Sequence, residues 1–143
     1  MATKKIILAE DNPADVQLTK MAFEEVAPGL EVVHVADGQE LVDYVSTAAL
    51  TDIALILLDL NMPRMGGIDV LRRFYQDEEF KKLPVVVFSS SASQDDVSTC
   101  YDLGANAYVC KPIDINDFNN IIRAIASFWG EINVLPEYKE TSV

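Results

Sequence analysis

The sequence is short of several residue types, and each shortage excludes a class of protein. Only two of its 143 residues are cysteines, too few for a disulfide scaffold or a four-cysteine metal site. Eleven basic side chains stand against 23 acidic ones, a net charge of −12 that argues against a nucleic-acid partner. No apolar run could span a bilayer, and the N-terminus does not resemble a signal peptide. We therefore expect a cytoplasmic protein that binds neither membranes nor nucleic acid.

The sequence does contain enough apolar material for one compact domain, since 50% of its residues are hydrophobic. Short runs rich in Val, Ile and Leu predict buried strands at residues 5–9, 31–35, 53–58, 84–89 and 107–110. A segment of helical periodicity follows each run, and these segments begin near Asn12, Gln39, Gly67, Ser93 and Asp114. This alternation predicts an α/β fold, a doubly wound five-stranded parallel sheet with helices on both faces.

The carboxyl ends of the predicted strands carry polar residues, and this is the edge of a doubly wound sheet where ligands bind. The residues there are Glu10, Asp11, Asp59, Ser89, Ser90, Lys111 and Pro112. Three carboxylates brought together repel one another unless a cation lies between them. Oxygen ligands too few for a complete protein cage favour Mg²⁺, which keeps waters and accepts a phosphate ligand. A lysine and a hydroxyl nearby would complete a site for phosphoryl transfer, with one carboxylate as the nucleophile.

The segments "AEDN", "LLDLNMPRMGG", "VVVFSS" and "YVCKP" resemble the receiver domains of bacterial two-component response regulators, over residues 4–129. The resemblance implies a flavodoxin-like strand order of 2-1-3-4-5. It also implies that a sensor histidine kinase transfers a phosphoryl group to Asp59 in a Mg²⁺-dependent reaction. The metal ligands implied are Asp11, Asp59 and the backbone carbonyl of Asn61, with Glu10 acting through a water molecule. Such a protein is a signalling phosphoacceptor rather than an enzyme, and catalyses only its own phosphorylation and dephosphorylation.

The same resemblance assigns roles to the remaining strand-end residues. Lys111 is expected to pair with Asp59 at rest and with a phosphoryl oxygen afterwards. Ser89 and Tyr108 form the implied switch, in which the hydroxyl of Ser89 contacts the phosphoryl group and Tyr108 rotates inward. The Lys111–Pro112 peptide bond is expected to be cis.

Four positions differ from, or vary within, the family pattern. Glu10 stands where Asp is commoner, and Gly66 where an acid is frequent. Asn61 and Ser91 occupy the two places that influence attack by water on the phosphoryl group, and both are small and uncharged. The sequence therefore does not predict how long the phosphoryl group persists.

Three other classes of protein share parts of this pattern. A haloacid-dehalogenase-type phosphatase needs a second Asp two residues after its nucleophile, and Asn61 stands there. A flavin carrier of similar fold needs a hydroxyl- and amide-rich loop after its first strand, where this chain has Glu10 and Asp11. A degenerate, binding-only receiver would have lost some of the acids or the lysine. Reaction with Mg²⁺ and a small phosphodonor would separate these classes. A receiver should show a stable mass gain on Asp59, a phosphatase should show catalytic turnover, and a binding-only protein should not react.

Residues 130–143 form a predicted C-terminal extension to the receiver domain. The stretch "ASFWGEINVLPEY" resembles the extension of single-domain response regulators paired with phytochrome kinases, which suggests light signalling or a phosphorelay. Phe128 and Trp129 are adjacent, about 100° apart around a helix, so both rings are not expected in one core. We expect these two residues to form a homodimer interface. The alternative is a tail that folds back on its own domain. Further partners would be a downstream protein target or a phosphotransfer protein.

Overall fold

Five parallel strands form one sheet in the computed structural model, which describes residues 3–136. The strands are β1 (Lys5–Ala9), β2 (Glu31–Val35), β3 (Ile53–Leu58), β4 (Val85–Ser89) and β5 (Ala107–Cys110). Their order across the sheet is β2-β1-β3-β4-β5. Both the strand positions and the order agree with the prediction, apart from Pro84, which precedes β4 because proline has no N–H to donate to a neighbouring strand.

Each strand is followed by a helix that begins close to its predicted start. The helices are α1 (Pro13–Val26), α2 (Gly38–Thr47), α3 (Gly67–Tyr75), α4 (Gln94–Asp102) and α5 (Ile115–Ser127). Side-chain oxygens of Asn12, Asp37 and Asp114 accept backbone N–H bonds in the first turns of α1, α2 and α5. These caps satisfy donors that have no partner within the helix, which explains why the helices begin there.

The helix α4 begins after Ser93, close to its predicted start. Its N-cap, Ser93, accepts the N–H of Asp96 at 3.5 Å. The Asp96 carboxylate does not return this bond, because it accepts the hydroxyl of Ser91 at 2.6 Å instead. At the other end, Gly104 adopts a positive φ of 95°, a conformation that glycine reaches without steric strain.

The helices cover both faces of the sheet, and alternate strand residues point to the two layers. Ile6 and Leu8 of β1 pack on the side of α1 and α5, whereas Ile7 and Ala9 pack on the side of α2, α3 and α4. All six residues of β3 are buried, as expected for a central strand covered on both faces. Because a hydrophobic core covers each face of the sheet, the polar side chains lie at the ends of the strands.

The chain continues past α5 into a π-helical turn, Phe128–Ile132, and then passes the amino ends of β1, β3 and β4. Trp129 packs against the core on the α1 and α5 side, while Phe128 remains 46% exposed. Only the Trp129 ring belongs to this core, and the more exposed Phe128 ring lies against it edge to face, with the centroids 5.5 Å apart. Leu135 and Pro136 line a groove together with Leu50 and Leu83, so this part of the tail folds back on its own domain. Residues 137–143 of the predicted extension lie outside the described residues.

Across residues 3–136, no helix combines the length and the apolar character that crossing a bilayer requires.

Candidate functional site

The register of the sheet places the predicted site residues at one edge. Ala9 is aligned with Leu58, and Ser89 with Cys110. The N–H of Asp59 donates to the carbonyl of Ala9 at 3.0 Å, and that of Lys111 to the carbonyl of Ser89 at 2.8 Å. The side chains that follow these aligned residues therefore emerge side by side.

Glu10, Asp11 and Asp59 form a compact group of carboxylates. Each offers one oxygen, and these oxygens lie within 4.8 Å of one another. Glu10 and Asp59 are only 3% and 6% exposed, whereas Asp11 is open to solvent. An all-oxygen group with one open side fits a hard divalent cation such as Mg²⁺, which keeps part of its water shell. The group is therefore compatible with the acidic cation pocket of receiver domains.

The ammonium of Lys111 contacts a carboxylate that the sequence did not single out. Its Nζ lies 2.6 Å from Glu10, 2.9 Å from Asp15 and 3.4 Å from Asp59. The predicted partner, Asp59, is thus the most distant of the three. Asp15 lies in the first turn of α1, three residues after the N-cap Asn12, and its closeness in sequence to Glu10 and Asp11 is the signal that could have identified it.

The pKa values of Glu10 and Lys111 reflect their burial and the charges around them. Burial raises the pKa of Glu10 from 4.5 to about 7, and the charge of Asp59 adds to the effect despite the hydrogen bond from Lys111. Burial alone would lower the pKa of Lys111. Its hydrogen bonds to Glu10 and Asp15, with the charges of Glu10 and Asp59, outweigh burial and raise that pKa above its usual value. The pocket therefore contains a protonated lysine next to a carboxylate, Glu10, that ionises less readily than usual.

The predicted switch residues lie behind this pocket. Ser89 is fully buried, and its hydroxyl oxygen accepts the N–H of Ser91 at 3.3 Å. The hydroxyl of Tyr108 donates to the carbonyl of Ser91 at 2.8 Å. Ser91 thus links Ser89 to Tyr108, a connection that sequence reasoning did not provide.

The loop after β3 is held in place by several contacts that the sequence also did not reveal. Asn61 donates its N–H to the Asp59 carboxylate at 3.4 Å. Further along, Arg64 has a positive φ of 63° and its Nε lies 2.7 Å from the Asp37 carboxylate. The guanidinium of Arg64 holds the pKa of the Asp37 carboxyl below its usual range. A second tie joins the N–H of Gly38 to the carbonyl of Met65 at 2.9 Å.

The Lys111–Pro112 peptide bond is trans, so the expectation of a cis bond was wrong for this structure. The trans isomer of an X–Pro bond is the more stable by about 0.5–1 kcal/mol. The backbone of Lys111 is already fixed by its hydrogen bond to Ser89, and its side chain reaches the pocket without the cis geometry.

A comparison with known families decides what this site belongs to. Residues 6–123 match the response regulator receiver domain. The chain belongs to the response regulator receiver family. It is therefore a two-component signalling protein, phosphorylated on an aspartate with a histidine kinase as its partner, and not a classical enzyme.

Individual relatives of this receiver protein point in the same direction. The response regulator Rcp1 of Synechocystis is 33% identical over 137 residues, 93% of each chain. A crystal structure of the Mn²⁺-bound form of Rcp1 superposes with a TM-score of 0.86, covering 94% of this chain and 99% of that one.

Two further solved structures are similar. The phosphorylated cyanobacterial phytochrome response regulator RcpA is 37% identical, with a TM-score of 0.85 and coverage of 95% and 100%. The bacteriophytochrome response regulator AtBRR is 35% identical, with a TM-score of 0.69 and coverage of 96% and 100%. This receiver protein is thus close to phytochrome-associated response regulators.

Proposed function

We propose that Asp59 is the phosphoacceptor of this response regulator. The observation that carries the proposal is its buried carboxylate at the end of β3, which is grouped with Glu10 and Asp11 and lies 3.4 Å from the Lys111 ammonium. An oxygen of Asp59 attacks phosphorus, and the phosphorus–nitrogen bond of the kinase phosphohistidine breaks. The electron pair of that bond stays on the imidazole, and an acyl phosphate forms. The protein would catalyse only this reaction and the later hydrolysis.

The metal ligands we propose are Asp11, Asp59 and the backbone carbonyl of Asn61, with Glu10 acting through a water molecule. Bound Mg²⁺ would offset the negative charge of the carboxylates and of the incoming phosphoryl oxygens. Lys111 would neutralise the opposite side of the phosphoryl group. The support for this set is the oxygen-only chemistry of the cluster and its mutual repulsion.

Ser89 and Tyr108 are the proposed switch. The hydroxyl of Ser89 would turn to a phosphoryl oxygen, which releases the N–H of Ser91 that it now accepts. Tyr108 holds the carbonyl of the same residue, so a movement of Ser91 reaches β5. In this way a local change of charge would alter the surface formed by α4, β5 and α5.

The test of the phosphoacceptor uses acetyl phosphate and Mg²⁺, with intact-protein mass spectrometry as the readout. The parent should gain one phosphoryl group, and Asp59→Asn should gain none while keeping its circular dichroism spectrum. Asp52→Asn is the matched control, an acid before β3 and away from the pocket. Undiminished labelling of Asp59→Asn would refute the assignment, and continuous release of phosphate from the donor would favour a phosphatase instead.

The kinase partner we propose is of the phytochrome type, because Rcp1, RcpA and AtBRR are similar over nearly the whole chain. Ile113 and Ile115 are exposed beside Lys111, in a groove that also includes Asp15. A phosphohistidine must reach Asp59 from this edge, so we place the docking surface there. Cytosolic location remains a prediction of the sequence.

This docking surface can be tested with the autophosphorylated histidine kinases of the source organism. Ile113→Ser should slow transfer from the cognate kinase and leave labelling by acetyl phosphate unchanged. Ile132→Ser, at another exposed isoleucine, is the control. Equal transfer to all three proteins would show that the kinase docks elsewhere.

We further propose that residues 4–129 form the receiver unit and residues 130–143 an extension that supports a homodimer. Phe128, Ile132 and Val134 are 46%, 64% and 88% exposed, which leaves apolar surface beyond a complete domain. Trp129 packs intramolecularly and in an edge-to-face pair with Phe128, so its role would be to position that ring.

Light scattering at tens of micromolar tests the dimer, with and without a mimic of the acyl phosphate. A dimer that dissociates in Phe128→Ala and in a chain truncated after Ser127 would support the proposal. Met21→Ala, which removes an exposed apolar side chain from α1, serves as the control. A monomeric parent under both conditions would refute it.

A further inference from the structure

Lys111 is divided among three carboxylates, and the nearest two are not the proposed phosphoacceptor. Its Nζ is 2.6 Å from Glu10 and 2.9 Å from Asp15, but 3.4 Å from Asp59. The Lys111 side chain is only 10% exposed, so these contacts replace most of its hydration. Two of the three carboxylates belong to the segment of β1 and α1, which draws the ammonium to that side of the pocket.

The backbone of Asp15 is anchored at the start of α1. Its N–H donates to the N-cap oxygen of Asn12 at 3.1 Å, which fixes the residue in the first turn of α1. Its side chain is 23% exposed, and the contact with Lys111 is a charge-assisted hydrogen bond across 96 residues of sequence. The proposed chemistry assigns no task to Asp15, which is neither a metal ligand nor a nucleophile.

We infer that Asp15 is a positioning residue that holds the Lys111 ammonium on the α1 side of the pocket, so that the Lys111–Asp15 pair must break when Asp59 is phosphorylated. An ammonium has three N–H donors, and all three now point to carboxylates. A phosphoryl oxygen needs one of these donors, and the partly exposed Asp15 can be rehydrated more readily than buried Glu10. The inference rests on the proposed role of Asp59, and it couples the start of α1 to the state of the pocket.

The expected effect of Asp15→Ala is faster phosphorylation by acetyl phosphate, by about three- to tenfold, because Lys111 is then free to meet the transferring phosphoryl group. Asp15→Glu should restore the slow rate, since it restores a carboxylate near Lys111. Glu24→Ala removes the same charge from the exposed side of α1 and should leave the rate unchanged.

A double-mutant cycle separates positioning from a simple loss of negative charge. If Asp15 acts through Lys111, Asp15→Ala should have no effect in a Lys111→Met background. The same acceleration in that background would overturn the inference, because it would then come from the charge of Asp15 alone.

A second measurement does not depend on phosphorylation. The ¹⁵N resonance of the Lys111 ammonium in the metal-free protein should shift, and its protons should exchange faster, in Asp15→Ala but not in Glu24→Ala. An unchanged resonance would overturn the inference. This readout decides the matter if Lys111→Met is labelled too slowly to compare. It also separates the two hypotheses, because failure of the Asp59 assignment would abolish labelling differences and leave the resonance shift in place.

Discussion

The edge of the sheet at the carboxyl ends of the strands and the edge at their amino ends are built in opposite ways. The carboxyl edge gathers Glu10, Asp11 and Asp59 around Lys111, with an open side to solvent. The amino edge is crossed by the C-terminal tail, where Gly130 lies against Ala27 and Leu30. The first edge collects carboxylates that repel one another and are only partly neutralised by Lys111, and the second buries apolar surface.

This difference separates function from stability within one small domain. Burial, with the charge of Asp59 as a smaller contribution, raises the pKa of Glu10, so the ionised pocket is destabilised without metal and favours binding of a cation. Contacts at the amino edge carry no such chemistry, and they can be optimised for packing. The predictions below test whether the two edges respond to mutation and solvent as differently as this contrast implies.

The largest expected effect is on the stability of the carboxyl edge. A Cβ at Gly67 would lie 2.5 Å from the carbonyl oxygen of Asp59 and 2.9 Å from the Cα of Leu60, both rigid backbone atoms. Gly67→Ala should therefore lower the free energy of unfolding by about 3 kcal/mol, measured by urea denaturation. Gly29→Ala, which has nothing within 4 Å, is the control and should be close to neutral. Equal stabilities would mean that the loop after β3 is not rigid.

Magnesium should stabilise the protein through the same edge. At a concentration 100 times its Kd, it should add about 2.7 kcal/mol to the free energy of unfolding. Asp11→Ala should raise the stability without metal, because it relieves repulsion, and should remove most of the magnesium effect. Glu24→Ala, on the exposed side of α1, should behave as the parent in thermal melts. A full magnesium effect in Asp11→Ala would place the ion elsewhere.

The pH dependence of stability should come largely from Glu10. Its raised pKa means that the native state keeps a proton that the unfolded chain releases above pH 4.5. This contribution is complete below pH 4.5 and is lost as the pH rises through about 7. In EDTA, the free energy of unfolding should fall by on the order of 2 kcal/mol between pH 5 and 8. Glu10→Gln should flatten this slope, and a slope equal to that of the parent would contradict the assignment.

The smallest effect is expected at the amino edge. A Cβ at Gly130 would lie 2.6 Å from the Cβ of Ala27 and 3.3 Å from the Cδ1 of Leu30. Gly130→Ala should displace the tail at a cost of about 1 kcal/mol, and should change the fluorescence of the single tryptophan, Trp129. Labelling of Asp59 by acetyl phosphate should stay at the parental rate. A slower rate would show that the two edges are coupled.

The fold was predictable from the sequence because its signals are local. Continuous apolar runs gave the five strands, and Asn12 and Asp114 marked helix starts through bonds to nearby backbone. The grouping of Glu10, Asp11 and Asp59 also followed, because parallel strands end at one edge and side chains after them must meet there. The peptide geometry at Lys111 did not follow, since the expected cis bond is trans.

The sequence by itself determined most of the residues at the site, and the tertiary structure added Asp15 and decided how they are paired. The distribution of Lys111 among Glu10, Asp15 and Asp59 depends on distances of 2.6–3.4 Å between segments up to 101 residues apart. The ion pair between Arg64 and Asp37 and the path of the tail beneath the sheet also join segments that are far apart in sequence. Hydrophobic periodicity and capping act within a few residues, so they are written in the local sequence. Electrostatic pairing depends on position in space, which exists only once the chain has folded.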